Sequence, residues 1–150
     1  MAHVIKELNG VEYLYNWNLF NSKETLKLQR EKAYKAFLED YKANREAYIL
    51  GALPRTIFDD DQFDIVLSSH FLFVYEHLFD YKFHLNAIRE MLRICISEIR
   101  IFPLINLKGE ASKFLNRISK DKELIYSKIS IEKINYEFAI GGNEMMRIIK

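Results

Sequence analysis

The sequence has few of the residues that mark disulfide-rich, redox-active or membrane-spanning proteins. Among its 150 residues are one cysteine, two prolines and five glycines. Cys95 cannot form an internal disulfide and has no CxxC partner for zinc or redox chemistry. No apolar run approaches the roughly 18 residues of a membrane span, and the first residues lack the basic and apolar segments of a signal peptide. We therefore expect a cytoplasmic protein without a membrane partner.

An excess of either charge is also missing. Lys and Arg number 22 and Asp and Glu number 21, which leaves a formal charge of +1. Such a balance creates no overall field that would gather phosphate backbones, so nucleic acid is not expected as a partner. The hydrophobic content of 49% is typical of a globular domain. A chain of this length folded as one domain buries about 68–70% of its unfolded surface, which is enough for a core.

One long helix is predicted near the N-terminus, over residues 21–48. Ser22 is placed to cap it, and Glu24 puts a negative charge in its first turn. Apolar positions recur at spacings of four and seven, and lysines, arginines and glutamates of mixed sign lie between them. A solvated helix face is favoured over a nucleic-acid-binding patch, which stays open as an alternative. The apolar positions are Leu26, Ala33, Phe37 and Tyr41.

Two short apolar runs flank a second predicted helix. Residues 63–67 and 99–105 are rich in β-branched residues, as in strands that helices cover on both faces. The helix covers residues 81–94, with Asp80 as its N-cap. Strand, helix, strand in this order predicts a right-handed parallel crossover. One buried stripe is expected on the helix: Phe83, Ala87, Ile88, Met91, Leu92 and Cys95.

An antiparallel hairpin is predicted at the C-terminus. Residues 127–138 and 145–149 are strand-like, and Gly141 and Gly142 between them favour a turn. A short helix is expected around residues 112–119. The chain is therefore predicted to be α/β, with a partial parallel sheet that ends in an antiparallel hairpin.

Several segments together carry a resemblance to a known family. They are ALP at residues 52–54, FxDDQFDIVLSSHFLF at 58–73, FHLNAIREMLR at 83–93, EIRIFPL at 98–104 and YEFxxGGNEMMRI at 136–148. In order and spacing they resemble class I S-adenosylmethionine-dependent methyltransferases over about the last hundred residues. The resemblance implies a Rossmann-like sheet of order 3-2-1-4-5-7-6 in which only strand 7 is antiparallel. Residues 63–67 would be strand 4, residues 99–105 strand 5, and the hairpin strands 6 and 7.

The resemblance also implies a site for S-adenosyl-L-methionine. The cofactor would lie at the carboxyl ends of the parallel strands, with Ser68, Ser69 and His70 beside the methyl donor. Gly51, Ala52 and Leu53 become candidate neighbours of the adenine. His70 is the catalytic candidate, because an imidazole can accept a proton near neutral pH. The alternative is a histidine that hydrogen-bonds the loop and shapes the pocket. The methyl acceptor stays unknown.

The N-terminal part departs from the family pattern. No strand with a GxGxG turn precedes Gly51, Gly10 is isolated, and Asn16 follows the strand-like residues 11–15 where the family has an acidic residue. We therefore expect a single methyltransferase-like domain, truncated at its N-terminus. The alternative function is a non-catalytic remnant or interaction subunit. Its strand 63–67 would be covered by a separate N-terminal fragment or by self-association.

Two clusters could suggest a metal, but neither has the spacing of a known site. Asp59, Asp60 and Asp61 form an acidic turn without the further oxygen ligands of a calcium loop. His70, His77 and His84 recur every seven residues but fall on different predicted elements. No metal is expected.

Overall fold

The computed structural model describes residues 10–124 and 127–150. The chain divides into two units, Met1–Leu50 and Gly51–Lys150. Near the start of the first unit, Glu12–Leu14 forms a short 3-10 turn, so the strand-like interpretation of residues 11–15 was wrong there. None of its helices, nor any other in the described residues, is long and apolar enough to cross a membrane.

The predicted N-terminal helix is present but shorter than expected. Helix α1 covers Lys23–Ala43, and the Ser22 Oγ accepts a hydrogen bond from the Thr25 backbone amide at 3.1 Å, which confirms the cap. The helix ends at Asn44, and residues 45–47 form a 3-10 turn. Leu26 is the buried residue of α1, whereas the Phe37 side chain is half exposed. The predicted apolar stripe is therefore only partly buried.

A four-stranded mixed sheet forms the second unit. Its strands are β1 (Phe63–Ser69), β2 (Cys95–Phe102), β3 (Lys128–Lys133) and β4 (Glu144–Ile149), in the order β1-β2-β4-β3. Strands β1 and β2 are parallel, which confirms the predicted crossover pairing. Strand β4 is antiparallel to both neighbours. The α/β class is confirmed, while β2 begins four residues earlier than predicted and ends at Phe102.

Helix α2 covers Tyr81–Ile94 and lies against β1 and β2. The Asp80 carboxylate accepts a hydrogen bond from the Phe83 amide at 2.7 Å, as predicted for its N-cap. Ala87, Ile88 and Met91 are buried in the core, whereas Phe83 and Leu92 are only partly buried. The stripe missed several residues that the structure buries on the same helix: His84, Leu85, Glu90 and Ile94.

The C-terminal hairpin is confirmed as antiparallel, with a longer connection than a Gly-Gly turn. Residues 134–143 join β3 to β4, and the short helix α3 before the hairpin covers Leu115–Ile118. Gly141 adopts a left-handed φ of +79°. At Gly142 a Cβ would lie 2.9 Å from the Ile105 side chain, so the two glycines serve different needs: backbone conformation and close packing.

The two faces of the sheet differ. One face carries Val66, Ile99, Ile101, Met146 and Ile148, which form the core with α2. The other face carries Ile65 and Leu67, whose side chains are 45% and 71% exposed. The expectation that helices cover β1 on both faces was therefore wrong for this strand.

Candidate functional site

The carboxyl ends of β1 and β2 meet at one edge of the sheet. Ser69 pairs in register with Phe102, and the His70 amide donates to the Phe102 carbonyl at 2.7 Å. His70 has a φ of +53°, a left-handed conformation that is uncommon for a residue with a side chain. The chain therefore turns sharply as it leaves β1, and the His70 side chain is exposed at this edge.

Ser69 and His70 form a hydrogen-bonded pair. The Ser69 Oγ lies 2.8 Å from His70 Nδ1, and the imidazole contacts the Phe102 ring edge-on with centroids 5.4 Å apart. When Nδ1 carries the proton and donates a hydrogen bond to the Ser69 Oγ, Nε2 is the basic nitrogen. A neighbouring acceptor could then lose a proton to Nε2, so the geometry is compatible with a general base.

The other predicted cofactor residues do not all join this pair. Ser68 alternates to the opposite face of β1 from Ser69 and pairs in register with Ile101. Gly51 and Ala52 are exposed in a turn that an Ala52–Arg55 bridge closes. Leu53 packs against the core. The structure thus brings Ser69 and His70 together and places residues 51–53 in a separate turn.

Sequence reasoning missed an aromatic residue beside this edge. The Tyr136 ring lies 6.1 Å from Phe102, edge to face, and is 43% exposed. His70, Phe102 and Tyr136 therefore form a row of rings at the carboxyl ends of β1 and β2. Tyr136 opens the YEFxxGG segment, but nothing in one sequence shows that the long hairpin connection returns to this edge.

A buried carboxylate supports the loops behind the edge. Glu76 accepts hydrogen bonds from the Ser112 hydroxyl at 2.5 Å, the Asn106 amide group at 3.0 Å and the Lys113 backbone amide at 3.0 Å. Burial acts to raise the pKa of Glu76, but these hydrogen bonds outweigh it and hold the pKa below its usual value. The carboxylate therefore fastens the loop after β1 to the loop after β2.

The three histidines at seven-residue intervals are not brought together as one site. His84 is fully buried, with Nδ1 at 2.8 Å from the Asp80 carbonyl oxygen and Nε2 at 2.9 Å from that of Leu72. His70 is instead exposed at the sheet edge. Among residues 10–124 and 127–150, no group of three His, Cys, Asp or Glu side chains is arranged to hold a metal ion.

The acidic turn contributes ion pairs. Asp60 contacts Arg93 at 2.5 Å, and Asp61 contacts Lys150. Both pairs tie the turn before β1 to neighbouring elements.

A second concave surface lies at the opposite end of the sheet. It is a groove of about 860 Å³, here called the arginine groove, between residues 54–58 and the outer face of α2. Because Phe58 precedes β1 and Arg93 precedes β2, the groove lies near the amino ends of these strands. Sequence reasoning missed it because residues 54–58, with Arg55, lie about 30 residues before the α2 residues that they meet. Its lining includes Arg55, Phe58, Asn86, Arg89, Glu90 and Arg93.

Glu90 and Arg93 form the rigid floor of the arginine groove. Arg93 donates to both Glu90 oxygens, at 2.8 and 2.9 Å, and to the Phe58 carbonyl at 2.7 Å. The Thr56 amide and hydroxyl also donate to Glu90, at 2.7 and 2.6 Å. The hydrogen bonds from Arg93, followed by those from Thr56, lower the pKa of Glu90 to about 2, although burial opposes them. Glu90 is therefore a fully engaged carboxylate near neutral pH.

Comparison with known proteins gives a relative but no function. The chain is 48% identical over 144 residues to an uncharacterized protein of Methanocaldococcus jannaschii, a match that covers 95% of this chain and 62% of that protein. The chain thus spans less than two thirds of the length of this relative. No family model matches the chain. No solved structure matches it either.

Proposed function

We propose that this protein is a class I S-adenosylmethionine-dependent methyltransferase that acts on an unknown acceptor. The observation that carries the proposal is the sheet. Its order, β1-β2-β4-β3 with only β4 reversed, is the order that the resemblance implies for strands 4, 5, 7 and 6. The motifs quoted for the resemblance overlap β1, β2 and β4, and the order of the four strands agrees with the order that the resemblance implies.

The polar groups at the carboxyl edge are also consistent with the proposal. In open α/β sheets, ligands bind outside the carboxyl ends of the strands, where Ser69 and His70 lie. The exposed Tyr136 ring is next to this edge and offers an apolar surface to a planar group. The resemblance implies that the end of the cofactor that carries the methyl group would lie beside the Ser69–His70 pair.

The proposed chemistry requires little from the protein beyond position. S-adenosylmethionine would supply an electrophilic methyl group bonded to a sulfonium. A nucleophilic acceptor atom would gain the methyl group as the carbon–sulfur bond breaks, and the electron pair of that bond would stay on sulfur. Where the acceptor atom carries a proton, His70 Nε2 would take it, with Ser69 holding the imidazole at Nδ1. Ser69 is in this account a positioning residue.

The test is a titration of the ¹⁵N-labelled protein with S-adenosylhomocysteine, followed by amide chemical shifts. We expect saturable shifts at Ser69 and His70, and shifts in the turn of residues 51–53 as well would support the predicted contacts with the adenine. Homocysteine, which lacks the adenosyl group, is the control and should shift neither of these two sets of amide signals. Shifts confined to the arginine groove, or none at all, would contradict this site. A His70→Asn variant, which tolerates the left-handed φ, should retain cofactor binding.

A specific observation also favours the alternative, an interaction subunit that pairs with another polypeptide through β1. Strand β1 is the edge strand of the described sheet, and Ile65 and Leu67 are exposed on it. An exposed apolar edge is a template for association. Sedimentation velocity would test this: a wild type that associates and a Leu67→Lys variant that stays monomeric would support the alternative. Monomers of both proteins at 100 µM would count against self-association.

A further inference from the structure

Two neighbouring grooves on the second unit share a wall. The arginine groove is lined by Arg89, and a second groove of about 560 Å³, here called the lysine groove, is lined by Glu123. Arg89 and Glu123 form an ion pair at 2.5 Å, so the two grooves adjoin at this pair. The lysine groove takes its charge from residues after β2: Lys113, Arg117, Lys120, Asp121, Lys122 and Glu123.

The linings of the two grooves concentrate positive charge. Seven basic side chains face three acidic ones, a surplus of four positive charges. The whole chain carries only +1, so the remainder of the molecule is negative overall. A near-neutral total therefore conceals a local basic surface, and local potential rather than total charge attracts a polyanion.

The acidic side chains in the linings are already engaged. Glu90 accepts from Arg93 and Thr56, and Asp121 accepts from the Tyr81 hydroxyl and the Glu123 amide. Glu123 is paired with Arg89. The grooves consequently offer donors with few remaining acceptors, a combination that suits oxyanions.

Several donors have capacity for a ligand. Among the described residues, the side chains of Arg55 and Asn86 have no hydrogen-bond or ion-pair partner, and Arg89 uses one of its five N–H groups for Glu123. Arg117 is fixed over the Tyr81 ring, with Cζ 3.5 Å from the ring centroid. Fixing the guanidinium reduces the entropy that it loses on binding an anion.

An aromatic ring lines the same surface. Phe58 is partly exposed in the arginine groove and is held by an edge-to-face contact with Phe63, with centroids 4.9 Å apart. Proteins that bind single-stranded nucleic acids combine aromatic rings with basic side chains: bases stack on the rings, and phosphates contact the cations. Phe58 and the neighbouring guanidinium groups offer this combination. Asp and Glu side chains by themselves carry no aromatic ring that could stack on Phe58.

We propose that the arginine and lysine grooves bind the phosphodiester backbone of a single-stranded nucleic acid, with one base stacked on Phe58. An extended ligand fits better than one small anion because the donors are spread along the surface. Arg55 lies in the arginine groove, Arg89 where the two grooves adjoin, and Lys120 in the lysine groove. The proposal is independent of methyl transfer and of its cofactor.

The experiment is fluorescence anisotropy of a labelled twelve-nucleotide uridine RNA, without cofactor, at 50 and 200 mM KCl. Three or four phosphate contacts should weaken binding about 20- to 50-fold between these concentrations, because the salt slope is roughly 0.7 per contact for single strands. Removing two charges in Arg55→Gln/Lys120→Gln should weaken binding about 10-fold at 50 mM KCl and reduce the slope by about 1.4.

The matched control removes two charges from another helix. Lys27→Gln/Lys32→Gln lies on α1, outside both grooves, and should change affinity less than 2-fold. Equal weakening by the two double variants would overturn the proposal, since binding would then follow total charge. No binding at 10 µM protein and 50 mM KCl would also overturn it. So would a twelve-residue polyglutamate that displaces the RNA as well as unlabelled RNA does.

Discussion

At the scale of single residues, the buried polar side chains each have a defined partner set. In the described residues, no buried side-chain nitrogen or oxygen lacks a hydrogen bond. Glu76, His84 and Glu90 are buried and join loops to helix α2 or to one another. Loss of one partner leaves the other unsatisfied, which usually costs about 1–3 kcal/mol. These residues therefore fix the loops around both ends of the sheet.

Glu90→Gln should lower stability in a pH-dependent way. The folded-state pKa of Glu90 is about 2, against an ordinary value of 4.5. A lowered pKa stabilises the fold fully above the unfolded value, and this stabilisation is lost as pH falls from about 5 towards 2. We expect the variant to lose about 2–3 kcal/mol at pH 7 and almost nothing relative to wild type near pH 2. Urea unfolding at both pH values measures this; an equal loss at each would contradict it.

His84→Phe should be strongly destabilising although it preserves a ring. The Leu72 and Asp80 carbonyl oxygens face the two imidazole nitrogens, and phenylalanine supplies no donor to either. We expect a loss of about 2–4 kcal/mol in urea unfolding. His77, which is exposed in the preceding loop, is the matched control, and His77→Phe should change stability by less than about 0.5 kcal/mol. Similar losses in the two variants would refute this role for His84.

At the scale of elements, helix α2 connects the two ends of the sheet. Its first turn is fixed by Asp80 and adjoins the loop after β1, whereas its last turn holds the acidic turn before β1 through Arg93. Its inner face supplies Ala87, Ile88 and Met91 to the core. The same helix therefore supports the carboxyl edge and forms a wall of the arginine groove.

Asp80→Ala should lower the free energy of unfolding by about 1 kcal/mol, the usual cost of losing an N-cap. The side chain accepts from the Phe83 amide, and alanine leaves that amide without a protein partner. Asp80→Ser retains a capping oxygen and should recover most of the loss. Thermal unfolding by circular dichroism distinguishes the two variants; equal melting temperatures for all three proteins would argue against the cap.

Elements with strong local signals were predictable from the sequence. The bounds of α2 and both N-caps follow from helix periodicity and from Asp80 and Ser22, and these were confirmed. Exposure was less predictable: the β-branched run of β1 indicated burial on both faces, yet Ile65 and Leu67 are exposed. Which faces are covered depends on the packing of distant segments, and a single strand does not encode it.

The residues of the candidate functional site were also only partly predictable from the sequence. Ser69 and His70 were predictable because they follow β1 directly, and the structure confirms their contact. Tyr136 and the arginine groove were not predictable. The position of Tyr136 depends on a long hairpin connection, and the groove depends on the contact of residues 54–58 with α2. Contacts between segments more than 30 residues apart leave no periodic signal in one sequence.

At the scale of the whole molecule, the two ends of the sheet have different surfaces. The carboxyl edge carries the Ser69–His70 pair and a row of rings, and the amino end carries the arginine groove. We propose a methyl-donor site at the first and a nucleic-acid surface at the second. Arg55 and Lys120 line the two grooves, so the Arg55→Gln/Lys120→Gln variant tests only the second proposal and separates it from the first.

The most direct test of the central proposal is thermal melting of the chain with and without S-adenosylhomocysteine. At about 100 times its dissociation constant, the ligand should stabilise the folded state by about 2.7 kcal/mol. For a domain of this size we expect the melting temperature to rise by about 5 to 15 °C and to saturate with ligand concentration. A cooperative melt that does not move at millimolar ligand would contradict cofactor binding by this chain and would favour the interaction subunit.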